Sequence, residues 1–210
     1  MDELIVRIAK AIACMSRLRV LSVVSRVDEI SPSRLAEKLK MSRALVSSHL
    51  YRLGIAGLVR RRRSGAWHYC RSGSPYSADT LSGQLAAWLE EALGNTGARG
   101  EHSGVKQLRN VPPRRRDSHV RRLVLDAAAA FTSVRRLQIL RRLCAGAADA
   151  ATLRRELHMS PPAASRHTAK LVRCGYVVAS GEGRGLVYQL AARFHTPLHA
   201  RLFEIVREHW

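Results

Sequence analysis

Helical periodicity, a duplicated 19-residue segment and a glycine-centred strand pair after each copy predict a mainly α fold with small β-wings. In class it is α+β, with two winged helix-turn-helix domains in tandem. The duplication is the firmest of the three observations. Residues 41–59 read MSRALVSSHLYRLGIAGLV and residues 159–177 read MSPPAASRHTAKLVRCGYV, with Met41/Met159, Ser42/Ser160, Ser47/Ser165, His49/His167, Leu53/Leu171, Gly57/Gly175 and Val59/Val177 all 118 positions apart. Seven identities in one ungapped register divide the 210 residues into two halves of roughly 90 residues. The boundaries expected are 1–93 for the first domain, 94–118 for a flexible basic linker and 119–210 for the second domain.

Within residues 41–59 the pattern is that of a helix capped by Ser42 and closed at Gly54 or Gly57. Leu45, Val46, Leu50 and Leu53 are expected on its buried face. Arg43, Ala44, Ser47, Ser48 and Arg52 then point outward, with His49 near the boundary. The run Arg60, Arg61, Arg62 and Arg63 comes at once after it. Short polar side chains beside a cationic strand suit entry into a DNA major groove with phosphate contacts alongside. A solvated charge run is the plainer reading of the four arginines, and their place next to the helix favours phosphate contact.

The remaining elements come in order. Residues 3–14 alternate apolar and charged side chains at helical spacing, Ser16 offers a cap for a second helix, and Pro32 opens a third at a tolerated first-turn position. A tight turn at 40–42 joins the third helix to the fourth, as in a helix-turn-helix. Residues 58–63 and 66–71 are strand candidates around Ser64-Gly65. Residues 77–93 return to helical period with more apolar side chains than a small domain covers, so part of that face is expected to pack on another repeat or subunit. Residues 94–118 carry four glycines, Pro112-Pro113 and six basic against two acidic residues, the composition of a linker. The second half repeats the plan, with helices at 119–131, 133–144, 150–157 and 160–173, a wing at 177–180 and 186–190, and a last helix at 198–209.

Charge bounds the partners. Thirty-six basic against 16 acidic residues give a formal charge of +20, which predicts a polyanion partner, with double-stranded DNA ahead of a membrane surface. An excess of arginine and alanine is also what a GC-rich genome imposes, so part of the charge can be compositional. No run of 18 apolar residues exists to span a membrane, and Arg7 and Lys10 interrupt the N-terminal apolar stretch, so no signal peptide is expected. Cys14, Cys70, Cys144 and Cys174 lie far apart with no CxxC pair, which fits free thiols in the cytoplasm, at the nucleoid. No nucleophile-base grouping, phosphate loop or paired carboxylates appear, so the chain is not expected to be an enzyme and no cofactor is predicted. His195 and His199, four apart, are the one metal candidate, against the plainer reading of exposed histidines at a helix start.

The segments 11–21 (AIACMSRLRVL), 35–42, 46–50 (VSSHL), 56–59 (AGLV) and 65–69, with their counterparts 133–140, 153–160, 164–167, 174–177 and 183–188, resemble the ArsR/SmtB family of winged-helix transcriptional repressors. The resemblance covers nearly the whole chain apart from the linker. It implies a dimeric repressor on an imperfect palindrome, released by an inducer, with the first and last helices forming the dimer interface. Here that dimer is either an intramolecular pseudo-dimer or a homodimer of tandem chains. By position it carries the base-reading surface onto Arg43, Ala44, Ser47, Ser48 and His49, and onto Pro161, Pro162, Ser165, Arg166 and His167 in the second repeat, with the His best regarded as a helix-packing or phosphate-contacting residue. Lys170, Arg173 and the wing residue Arg184 add cations there. Two departures matter. The family's cysteine-containing metal box is replaced by EISPSRLA (29–36) and DAATLRRE (149–156), which excludes metal sensing through that box. Prolines also stand where the second repeat would read bases, so it is expected to read DNA less specifically. An architectural DNA-binding protein with little sequence preference and a winged-helix protein-interaction module remain open as alternatives.

Overall fold

A computed structural model describes residues 1–65, 67–94, 112–181 and 183–210, without the side chains of residues 67, 113, 114 and 184. The first half runs α1 (Asp2–Ile12), α2 (Met15–Val24), α3 (Pro32–Leu39), α4 (Arg43–Ile55), β1 (Val59–Ser64), β2 (Trp67–Ser72) and α5 (Leu81–Gly94). The second runs α6 (Pro113–Ala129), α7 (Val134–Cys144), β3 (Ala148–Asp149), α8 (Ala150–Glu156), α9 (Pro161–Arg173), β4 (Val177–Ser180), β5 (Val187–Leu190) and α10 (Pro197–Glu208). The duplication read in the sequence is kept in three dimensions. Helices α4 and α9 begin and end 118 positions apart. An isolated bridge joins Ile30 to Cys70, and Ala148 pairs with Tyr188 at the same offset.

Helices α4 and α9 end in the same turn. Gly57 (φ 70°) and Gly175 (φ 71°) adopt the left-handed conformation, and the next residues donate back, Leu58 N–H to the Leu53 carbonyl and Tyr176 N–H to the Leu171 carbonyl. A side chain at Gly175 would collide with the His195 ring, whose nearest atom lies 2.3 Å from the ideal Cβ position.

Three local expectations are corrected. Ser16 does not cap α2, because the chain is extended at Cys14 and the helix starts at Met15. Arg17 instead donates to the carbonyls of Ala11 (2.6 Å) and Lys10 (2.5 Å) at the end of α1. Arg136 repeats this device on Ala130 (2.8 Å) and Ala129 (3.0 Å) at the end of α6. The helix expected from 119 starts at Pro113, so residues 113–118 are helical; the remainder of the expected linker, 95–111, lies outside the described residues. Pro113 is tolerated in a first turn, where its missing N–H costs nothing. The helix expected from 77 starts at Leu81, because Thr80 Oγ1 accepts from Gly83 N–H (3.1 Å) and donates to the Ser77 carbonyl (2.7 Å).

The buried apolar side chains form one cluster that runs through both halves. Helix α1 packs on α6 and α7, α2 on α6, and α5 on α6 and α10. Ile5, Ile8 and Ile12 of α1 and Val120, Val124 and Ala127 of α6 are all buried. Trp88 of α5 is buried and its indole N–H donates to the Leu198 carbonyl of α10 at 3.2 Å. At the margins Arg26 holds Asp117 through two bonds of 2.6 and 2.8 Å, Arg141 pairs with Asp2, and Gln84 donates to Glu208 at 3.2 Å. The surplus apolar face of α5 thus lies against the second half. Beyond it, Tyr176 packs among Phe131, Phe194, Phe203 and His199.

Two outcomes test this core. Trp88→Ala is expected to lower stability by about 3–5 kcal/mol, read from the urea midpoint. His199 is buried, and burial, reinforced by the charge of His195, lowers its pKa from 6.5 to about 4. The native state therefore holds it neutral while the unfolded chain takes up a proton below pH 6.5. Its contribution is complete above that value and is lost as pH falls towards 4, by at most about 3 kcal/mol. Urea unfolding between pH 7 and 4.5 is expected to show a shallower pH dependence in His199→Leu than in the parent chain.

Candidate nucleic-acid interface

Helix α4 is set by α2 and α3, which pack against its inner face. Lys40, left-handed at φ 52°, stops α3, and Ser42 Oγ then accepts from Leu45 N–H at 3.2 Å to start α4. Val46, His49, Leu50 and Leu53 are buried, the i, i+3, i+4, i+7 stripe of an amphipathic helix. Arg43, Ala44, Ser47, Ser48 and Arg52 are exposed together, as the sequence predicts. A helix face with side chains this short can approach base edges closely.

Leu45 lies elsewhere than expected, and His49 takes the helix-packing role of the two expected for it. Leu45 is 42% exposed, since it sits about 100° round the axis from Val46 and outside the inner stripe. His49 is 8% exposed and belongs to that stripe, so it packs the helix rather than facing a base. Both of its ring nitrogens are buried without a hydrogen-bond partner among the described residues. Burial, with the charges of Arg17 and Arg52, lowers its pKa and keeps it neutral. Its counterpart His167 is half-buried and shifted the same way, by burial and then by Arg136, Arg166 and Arg135.

The wing is an antiparallel pair in which Arg60, Arg61, Arg62 and Arg63 face Arg71, Cys70, Tyr69 and His68. All four arginines are exposed, but strand alternation sends them to opposite faces and gives them different partners. Arg61 lies 5.8 Å from the centre of the Tyr51 ring on α4, and so ties wing to reading helix. Arg60 donates to the Ser74 carbonyl (2.6 Å) and Arg63 to that of Gly65 (3.1 Å). Arg62 makes a two-pronged bond to Glu29 (2.9 and 2.7 Å) and stands 5.4 Å from the Tyr69 ring centre. The hydrogen bond from Arg62 holds the Glu29 carboxyl below its usual range, so both stay ionised. The run is therefore not four equivalent phosphate contacts. Glu29 and Tyr51 are functional neighbours that sequence reading misses; the period-2 alternation of β1 is the available signal.

The second copy presents a different surface. Pro161 opens α9, Ser160 makes no side-chain cap bond, and Pro161, Pro162, Ser165, Arg166 and Arg173 are exposed. Lys170 is half-buried, and β4 exposes Val178, Ala179 and Ser180 where β1 exposes arginines. The expected contact through Arg184 lies outside the described side chains.

The two histidines of the metal candidate stand on different elements with their ring centres 5.7 Å apart, and His199 is buried rather than exposed as the plainer reading has it. Thr196 caps α10, so His195 precedes the helix and does not share a helical face with His199. His195 covers the backbone of Gly175, while His199 Nδ1 lies 2.8 Å from Thr196 Oγ1. No group of three or more metal-capable side chains occurs among the described residues. Cys70 is buried, donates to the Ile30 carbonyl (3.0 Å) and is pushed up by burial to about 11, which denies it thiolate character.

Comparison with known families matches each half separately. The MarR family matches residues 15–66, from α2 to the tip of the first wing. The bacterial regulatory protein, arsR family, matches residues 133–178, from the residue before α7 into β4. No curated protein and no solved structure matches the chain.

The pairing of Arg62 with Glu29 has a measurable consequence. Glu29→Gln is expected to free one cation, tighten duplex binding and steepen the dependence of log K on log salt by about 0.9. Titration of labelled duplex at several salt concentrations measures it.

Proposed function

We propose that this chain, a DNA-binding transcription regulator with two winged-helix domains in tandem, is a sequence-specific repressor acting by operator occlusion. One observation carries the reading: α4 exposes a small, polar and cationic face, capped and aimed by α2 and α3, beside an arginine wing. In this reading α4 enters a major groove with Arg43, Ala44, Ser47 and Ser48 at the base edges. Arg52 and the wing arginines lie along the phosphates. The second repeat lies over a neighbouring groove, about 34 Å away, and holds mainly backbone through Arg166, Lys170 and Arg173.

Two domains, the first ending with α5 and the second starting with α6 at Pro113, folded on each other as an intramolecular pseudo-dimer, fit this reading. The extensive apolar contact between the halves supports it. The expected place of action is the cytoplasm, on the nucleoid. The prolines at 161 and 162 favour a second reading, in which the chain is an architectural DNA-binding protein held chiefly by its charge of +20.

Selection from random duplexes separates the two: enrichment of one motif is expected, and a flat pool would exclude the repressor. The double variant Ser47→Glu and Ser48→Glu is expected to lose the selected site while keeping its melting temperature, because both positions are exposed. Residues 1–94 alone should self-associate through uncovered α1 and α5; a soluble monomer by light scattering would contradict the pseudo-dimer.

A further inference from the structure

Where α4 ends against the second half, an open groove of about 520 Å³ runs between α1, the last turn of α4 and the start of α7. Val6, Ala11, Ile55 and Val134 form its apolar lining. Ile55 is 48% exposed, a large aliphatic side chain left to solvent in the last turn of α4. Three cations, Arg7, Lys10 and Arg52, stand around this lining, and none forms an ion pair among the described residues. Glu3 is the only carboxylate in the lining, and Arg17 is already committed to the α1 carbonyls. The groove thus pairs an apolar surface with uncompensated positive charge, which is the complement of an amphipathic anion.

Among the described residues no aromatic ring lines the groove, so its apolar part offers methyl and methylene groups. We propose that this groove binds a small aliphatic carboxylate, its chain on Val6, Ile55 and Val134 and its carboxylate among Arg7, Lys10 and Arg52. Because Arg52 and Ile55 belong to α4, the bound anion neutralises charge at the reading helix and weakens its hold on phosphate. That second step rests on the proposed DNA reading; the binding step does not.

Octanoate is the probe, with acetate and octanamide as the anion without a chain and the chain without an anion. Calorimetry on the full chain, without DNA, is expected to give one saturable site for octanoate at least tenfold tighter than for either control. Ile55→Gln and Val134→Gln should each weaken it at least fivefold, the first at an exposed position that leaves the melting temperature unchanged. Equal binding of acetate, or octanoate binding indifferent to both variants, would mean anions gathered by the overall charge and would overturn the site. With duplex present, saturating octanoate is expected to lower affinity at least threefold in the parent chain and less in Ile55→Gln. Unchanged duplex affinity would overturn the regulatory step, while loss of duplex binding in every sample would instead indict the DNA reading.

Discussion

The structure depends on apolar surface that neither half can cover alone. Helices α1 and α5 bury their apolar faces against α6, α7 and α10, and Trp88 reaches across to the Leu198 carbonyl. At about 25 cal/mol per Å² of apolar area, covering such faces outweighs the ion pairs at the margin, which are partly exposed and worth little each. The pairs Arg26–Asp117 and Arg141–Asp2 instead fix how the halves meet, since their charges are local and the apolar contact is not directional. The outward helices α4 and α9 and the first wing are held in position by this shared core.

The features legible in the sequence are those that local rules determine. A Ser cap, a buried stripe and a left-handed glycine delimit α4 without help from the rest of the chain, and the copy 118 positions on delimits α9. The differences fall where the answer depends on partners. Pro112-Pro113 reads as a helix breaker, yet a proline in the first turn opens α6. Ser16 has the right chemistry for a cap but stands two residues past the extended Cys14. His49 reads as a boundary residue, and only the i, i+3, i+4, i+7 stripe with Val46, Leu50 and Leu53 puts it inside.

The candidate interface is less legible than the fold for a related reason. Exposure of the outward residues of α4 comes from helix period. The availability of each charge does not, because it depends on residues brought in from other elements. Glu29 reaches Arg62 from 33 positions away, and the Tyr51 ring meets Arg61 from α4. Counting arginines overstates the positive surface of the wing, since a two-pronged bond to a carboxylate leaves little net charge for a phosphate.

Placing both winged helices in one chain removes a constraint that a homodimer cannot escape. In a two-fold dimer every substitution occurs twice, so a reading helix cannot lose its polar side chains without losing both half-sites. Here the copies differ on the outward faces of α4 and α9 and in the wing while sharing the turns and bridges that set the fold. The bridge Ile30–Cys70 and its counterpart Ala148–Tyr188, the glycine turns, and the arginine caps on α1 and α6 are all retained. The side-chain cap and the arginine strand occur only in the first copy, and Pro161 and Pro162 stand where the first copy has Arg43 and Ala44. The proposed division of labour accounts for this difference: the first copy would supply recognition, and the second supplies the apolar platform on which α1 and α5 rest.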